Sequence, residues 1–413
     1  MKPSISKKVQ TFKNTKSPIR EIMDLANPQF FKDAGLDPAK VISFSGGWVN
    51  HEAPEQLRDA YAQVIHDSKR FHASGAYPPT IGMPACRQAI VDFEKHVYGE
   101  GFDLKTENVA IGSNSSQMTS NMMQILLNPG DKLCLLDPAY ANYPSQTINI
   151  ENIEIVRFSV MDVDNWKFVA DERIDAFVSF IKTEKPKMIL LCAPDNPTSQ
   201  VPSTAFIKAA MDAAKEIGSF LVIDFAYKAL VWGDSYPEYF SWGPNENYIS
   251  IHSNSKWCRG LGRRLGWIEA PVQVVEAFEA VQGSSILCPD SLHEMAFVDY
   301  VEDGIANNTI KPYIKETAEL YKVAAERTVK AIETHLKMPY LIPQGGLYTV
   351  VRVDEESSEF AQRIIKSTGV ITVPGWGFGN SLKNAVRLSY GPLVHDLDKI
   401  DEAMVRIGKF LKR

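Results

Sequence analysis

The sequence predicts an α/β protein with a mainly parallel sheet covered on both faces by helices, and a smaller α+β domain beside it. Three observations carry this. Short apolar runs of strand length alternate with longer amphipathic stretches through the middle of the chain. The runs are apolar throughout, as in strands buried on both faces. Polar residues collect just behind them, where open parallel sheets bind ligands. Composition agrees. At 413 residues the chain exceeds one ordinary domain. It is 45% hydrophobic and 23% charged, which excludes a disordered chain. Forty-four basic residues against 50 acidic ones leave a net charge of −6, so no overall positive field is offered to nucleic acid.

Taken in order, the N-terminal stretch is basic but lacks the apolar core of a secretory signal. It reads as a solvated tail, or as an arm that orders over a site. No run reaches the roughly 18 apolar residues that a membrane helix needs. Gly46 and Gly47 interrupt the chain before the parallel pattern begins. The run at 108–112 predicts a strand, and 117–127 a helix that ends at the turn Asn128-Pro129-Gly130-Asp131. Strands follow at 132–137, 188–192, 220–224 and 248–253, each leaving room for a helix. The polar residues behind these strands are Asn114, Ser115, Ser116, Asp137, Asn196, Asp224 and Lys256. Beyond 310 the pattern changes to a long amphipathic helix over 312–336, a run at 345–353, a helix near 358–367, a run at 385–390 and a closing helix. The expected boundaries are 1–65 for the N-terminal arm and part of the small domain, 66–310 for the large domain, and 311–413 for the rest of the small domain. Cys86, Cys134, Cys192, Cys258 and Cys288 lie far apart without a C-x-x-C pair. They read as reduced, mostly buried thiols of a cytoplasmic protein, not as a disulfide frame or metal site.

The strongest local signal runs from Ser253 to Trp267. Lys256 follows a strand, behind Ser253 and Ser255 and ahead of a glycine-rich turn carrying Arg263 and Arg264. A lysine is rarely buried without a partner. One reason to bury it is to present a neutral amine to a carbonyl group. Neighbouring hydroxyls and an arginine suit a phosphate dianion. An exposed basic loop is the competing reading. A dinucleotide fingerprint fails, because Gly260, Gly262 and Gly266 have the wrong spacing and sit too late in the chain.

This pattern is S-x-S-K, then glycine at +4 and +6, arginine at +8, glycine at +10 and tryptophan at +11. It resembles the class I/II (fold type I) pyridoxal-phosphate-dependent aminotransferases, and further motifs in the family's order extend the likeness over nearly the whole chain. The resemblance implies a large domain with a seven-stranded, mainly parallel but mixed sheet, and a small domain built from both termini. It implies pyridoxal 5'-phosphate as cofactor, held by Lys256 as a Schiff base, with Arg264 and Ser253 near its phosphate. Asp224 would pair with the pyridine nitrogen and Tyr227 with the phenolic oxygen. A carboxylate there keeps the ring nitrogen protonated, so the ring can take up electrons. Alone, Asp224 also reads as a helix cap.

The segment 193–199 resembles the family's N-P-T-G loop, which gives Asn196 both the phenolic oxygen and the substrate carboxylate. Ser199 replaces a glycine, so this loop is expected to take a different shape. The segment 111–117 falls where the family cups the phosphate, with Ser115 and Ser116 at a helix N-terminus, a site for anions. Asn114 also replaces a glycine, and its tolerance of left-handed geometry would make that mild. In 137–143, Tyr140 is the expected ring-stacking aromatic and Tyr143 is assigned to packing. Tyr77, Gly82 and Arg87 match a motif whose tyrosine reaches the partner subunit's phosphate, which implies a homodimer with sites at the interface. Arg387 matches the carboxylate-binding arginine, which can form a planar bidentate pair; a surface strand arginine is the alternative. Gly47 would offer backbone and Trp48 a pocket wall against substrate. Trp48, Tyr140, Ile19 and Ile42 point to a larger or aromatic substrate side chain, whereas His51, Arg70 and His72 could read a polar one. Residues 17–42 faintly resemble the kynurenine and 2-aminoadipate branch.

The expected activity is transfer of an amino group from an L-amino acid to a 2-oxo acid. A fold type I enzyme that uses the same electron sink for elimination, cyclisation, decarboxylation or oxidation is the alternative. An aminotransferase-like regulator is disfavoured, because about 40 residues before Ile42 are too few for a winged helix. No metal, nucleic acid or membrane partner is expected.

Overall fold

The computed structural model describes residues 4–14, 28–99, 102–233 and 235–412. The central sheet has seven strands: β1 Val109–Gly112, β2 Lys132–Asp137, β3 Glu154–Ser159, β4 Met188–Cys192, β5 Phe220–Asp224, β6 Tyr248–Ser253 and β7 Gly266–Glu269. Their order is β1-β7-β6-β5-β4-β2-β3. β7 runs antiparallel to both its neighbours, while the pairs from β6 to β3 are all parallel. The expected mainly parallel, mixed sheet is therefore present. β3 and β7 were not anticipated from the apolar runs. β3 is a half-exposed edge strand, and β7 is a short strand hidden behind the glycine-rich turn.

Alternate residues of each strand feed opposite layers. Leu133, Leu135, Leu190 and Ile249 share a core with Met118 and Met122 of α1 (Ser115–Leu126). Cys134, Leu136, Ile189 and Leu191 face Phe177 and Phe206, on the helices Ile174–Glu184 and Thr204–Glu216. No described helix is long and apolar enough to cross a membrane.

The smaller sheet holds β8 (Tyr348–Arg352), β9 (Val373–Pro374) and β10 (Ala385–Ser389), antiparallel in the order β8-β10-β9. The two-residue strand Ile42–Ser43 pairs in parallel with Val370–Ile371, which ties the early chain to the C-terminal part. Residues 44–51 then pass between this sheet and the lysine loop. Ser389 N–H donates to the Phe44 carbonyl at 2.9 Å, and Arg259 Nη1 donates to the His51 carbonyl at 2.8 Å. Asp137, at the end of β2, accepts from Asn380 N–H at 3.0 Å and from Ser381 Oγ at 2.6 Å. Its role is to clamp the turn before β10 in place.

Behind β6 lies a buried polar cluster. Lys228 Nζ meets Glu94 Oε2 at 2.6 Å and stands 3.8 Å from the centre of the Tyr98 ring. His252 lies between Glu94 (3.5 Å) and Glu269 (3.3 Å), and the Trp267 indole N–H donates to Glu269 at 3.1 Å. The two glutamates and His252 are close enough to hold a metal, but Lys228, Ser250 and Trp267 already occupy the carboxylates. A buried ion pair is costly to break from one side, because the remaining charge is stranded. Glu94→Ala should therefore lower unfolding stability by about 3–5 kcal/mol, read from the denaturant midpoint.

Candidate active site

The carboxyl ends of β1, β2, β4, β5 and β6 open onto one cavity of about 180 Å³. Asn114, Ser115, Ser116, Tyr140, Tyr143, Asn196, Asp224, Tyr227, Ser255, Lys256 and Arg264 line it. Each comes from a strand end or the loop behind it, so the expectation of a polar crevice there holds for the lining residues.

Lys256 is partly open to the cavity, and its Nζ donates to the Gly47 carbonyl. Among the described residues it makes no ion pair. Desolvation, then the charges of Arg387 and Arg264, lower its pKa to about 8, against a smaller pull upward from Asp224. Asp224 is 4% exposed. It accepts from the Tyr143 hydroxyl at 3.0 Å and from Ala226 N–H at 3.0 Å. Burial outweighs these bonds and raises its pKa to about 6.

Tyr143, assigned to packing from sequence, is thus a polar partner of Asp224. Its register three residues beyond Tyr140 placed both on the cavity, and their rings meet edge-on at 5.2 Å. Ser115 and Ser116 begin α1, where Asn114 caps the helix by accepting from Gln117 N–H at 3.1 Å. The φ of Asn114 is 177°, which is extended, so left-handed tolerance is not why asparagine is accommodated; its capping side chain is. Arg264 also lines the cavity and is exposed, with its guanidinium turned to the Leu261 carbonyl.

Ser253 does not line the cavity. It is buried, and its hydroxyl donates to Ser255 Oγ at 2.8 Å. Ser255, not the Ser253 that the resemblance implied, is the serine that faces inward. Ser199 takes the positive-φ conformation that a glycine would take freely. It adopts φ +56° despite having a side chain, and its Oγ accepts from Tyr348 N–H at 3.0 Å. A hydrogen bond that only a hydroxyl at this place can make offsets the left-handed strain.

Arg387 is 2% exposed in the middle of β10. Nη1 donates to Asn196 Oδ1 at 2.9 Å and Nη2 to the Ser45 carbonyl at 3.1 Å. Its Nε is buried without a partner among the described residues. The reading of Arg387 as a surface arginine is excluded. Tyr348, which sequence reasoning did not select, lies diagonally across the β8–β10 ladder, with its ring centre 4.3 Å from the guanidinium. Its hydroxyl is 2.7 Å from that of Tyr227.

Other expectations fall away from the cavity. Trp48 is 45% exposed and does not line it. Ile42 belongs to the core, and Ile19 lies outside the described residues. His51 is structural. Its Nε2–H donates to the Trp257 carbonyl at 3.0 Å, its Nδ1 accepts from Tyr321, and burial lowers its pKa to about 4. Arg70 pairs with Asp299 at 2.7 Å, and His72 is exposed on a short helix. Tyr77 is 83% exposed.

The residues present fit pyridoxal phosphate. A helix N-terminus with two serines and an arginine suits its phosphate. A buried carboxylate with raised pKa lacks a cationic partner that a pyridinium would supply. A desolvated amine lines the same cavity.

Comparison with known proteins agrees. The family described as "Aminotransferase class I and II" matches residues 39–407. An aspartate aminotransferase of Pyrococcus horikoshii is 25% identical, covering 99% of this chain and 97% of that protein. An aromatic-amino-acid aminotransferase of Thermococcus litoralis is 25% identical, covering 96% of each. The solved aspartate aminotransferase of Thermus thermophilus with maleate superposes with a TM-score of 0.82 at 21% identity, covering 98% of this chain and 100% of that one. At that identity the structural likeness speaks to the fold, and it supports the same two-part architecture. A family match spanning most of the sequence, on a chain with this sheet and this cavity, places the protein among the class I and II aminotransferases.

Proposed function

We propose that the chain is a pyridoxal-phosphate-dependent aminotransferase that moves an amino group from an L-amino acid to a 2-oxo acid. The observation that carries this is the meeting, around one small cavity, of a desolvated lysine amine, a buried carboxylate and an anion-binding helix N-terminus. Bound there, pyridoxal phosphate supplies an aldehyde for the amine and a ring that accepts the electron pair left when the substrate Cα–H bond breaks.

Lys256 Nζ would hold the cofactor and, when free, would take the proton from the substrate Cα and give it back. A pKa near 8 suits both roles. Asp224 would hold a positive charge on the ring nitrogen, with Tyr143 fixing the carboxylate's direction. Tyr140 would cover the ring. Ser115, Ser116, Ser255 and Arg264 would hold the phosphate, with Ser253 orienting Ser255. Tyr227 and Asn196 would serve the phenolic oxygen. Arg387, with its unpartnered Nε–H, and Asn196 hold the substrate α-carboxylate. Gly47 offers its carbonyl to the Lys256 ammonium.

The active unit is a homodimer in which the partner's Tyr77 completes the phosphate site. The exposure of Tyr77, together with exposed Phe71, Ile286 and Leu287, supports this. The loop bearing Tyr77 is held to the segment after Val272–Gly283, where Ser291 Oγ donates to the Ala76 carbonyl at 3.0 Å. The five cysteines are free and Cys86, Cys134, Cys192 and Cys258 are buried, which supports a cytoplasmic setting.

The test is single-turnover mixing of the loaded protein with a panel of amino acids and no 2-oxo acid. Transamination predicts that one amino acid is converted stoichiometrically to its 2-oxo acid, with loss of the visible absorption band. Catalytic product formation with the band restored unaided would assign the elimination or decarboxylation alternative instead. A second expectation concerns pH. A lysine is nucleophilic only when neutral, so moving its pKa from 10.5 to about 8 raises the neutral fraction at pH 7.5. The fraction goes from roughly a thousandth to about a quarter. The rate at which the cofactor-free protein takes up pyridoxal phosphate should therefore rise with pH and level off above about 8, measured by stopped-flow absorbance.

A further inference from the structure

We propose that Tyr348 is a positioning residue whose hydroxyl donates to the Tyr227 hydroxyl, turning the Tyr227 proton into the cavity toward an acceptor oxygen of the ligand. This rests on the cofactor reading above and adds to it a residue that sets how strongly Tyr227 donates.

The two hydroxyls are 2.7 Å apart, so one proton lies between them and one is left over. If Tyr227 were the donor, the leftover proton would sit on Tyr348. Tyr348 is 1% exposed and does not line the cavity, and its hydroxyl has no other hydrogen-bond partner among the described residues. Its oxygen is pressed against Gly47, where an added Cβ would stand 2.8 Å away. A proton stranded there carries the cost of an unsatisfied buried donor. If Tyr348 is the donor, the leftover proton sits on Tyr227, which lines the cavity and can give it to a ligand or water. Asn196 Nδ2 also donates to the Tyr227 oxygen, at 3.3 Å. With both lone pairs engaged, Tyr227 has only its proton to offer.

The surroundings of Tyr348 favour this direction. Arg387 lies over its ring at 4.3 Å, and a cation on the ring face makes the phenol a better donor. Its backbone is pinned by Ser199 Oγ, and its ring meets that of Tyr227 edge-on with centres 5.6 Å apart. Arg387, Asn196, Tyr227 and Tyr348 form a closed ring of contacts. Through it, the carboxylate-binding end of the site and the donor to the cofactor share one orientation. Donors in a chain strengthen one another.

Tyr348→Phe keeps the ring under Arg387 and removes the hydroxyl. In the loaded protein, weaker donation from Tyr227 should raise the pH midpoint of the visible absorption by about 0.4–1 unit, the equivalent of one hydrogen bond. In a Tyr227→Phe background the same change should move the midpoint no further, because Tyr348 acts through Tyr227. A fluorinated tyrosine at position 348, a stronger donor that preserves the fold, should shift it the opposite way. A visible band whose midpoint is unmoved by both changes at 348, or moves equally without the Tyr227 hydroxyl, would overturn the proposal while leaving the cofactor reading intact. A wild-type chain that acquires no band with pyridoxal phosphate would overturn both.

Discussion

The structure depends on keeping one amine, that of Lys256, desolvated without a carboxylate to pair with it. An ammonium in such a place is destabilised by the loss of water, and the positive charges of Arg387 and Arg264 destabilise it further. The protein answers with a single carbonyl, that of Gly47. The amine is thereby held close to the balance between charged and neutral forms, and its reactivity follows from this balance. Asp224 is the mirror case. Desolvation raises it to about 6, and the Tyr143 hydroxyl and one backbone N–H keep it within reach of ionisation.

Holding both groups this way requires parts of the chain far apart in sequence. The parallel sheet brings the loops after β1, β2, β4, β5 and β6 to one edge. The segment 44–51 threads between that edge and the smaller sheet, supplying the Gly47 carbonyl on one side and the Ser45 carbonyl for Arg387 on the other. Asp137 clamps the turn at 379–381 and so fixes where β10 presents Arg387. The cavity is lined from the central-sheet part, and Gly47 and Arg387 reach it through Lys256 and Asn196, so its geometry is sensitive to how the two parts are joined.

Much of this was legible in the sequence. The strands β2, β4, β5 and β6 announced themselves because strands buried on both faces are apolar throughout. Lys256 and Asp224 stood out because ionisable groups are unusual beside such strands, whereas Asn196 and Arg387 were marked by the motifs they share with the family. β3 escaped because an edge strand carries a mixed pattern, and β7 because its four residues follow a glycine-rich turn. Tyr143 and Tyr348 escaped for another reason. Each is one more aromatic until a partner distant in sequence is known: Asp224 for the first, Tyr227 and Arg387 for the second. Asn114 and Ser199 show the same limit for backbone shape. A glycine position in a family can be filled by a residue whose side chain finds its own hydrogen bond, here a helix cap and a bond from Tyr348 N–H.

In the reading proposed above, the Lys256 amine is the group that takes a carbonyl. The most direct measurement mixes the purified chain with pyridoxal phosphate, reduces it with borohydride and locates the added mass by peptide mapping. The account predicts stoichiometric labelling at Lys256, lost in Lys256→Ala. Labelling spread over surface lysines, or unchanged by that substitution, would contradict it.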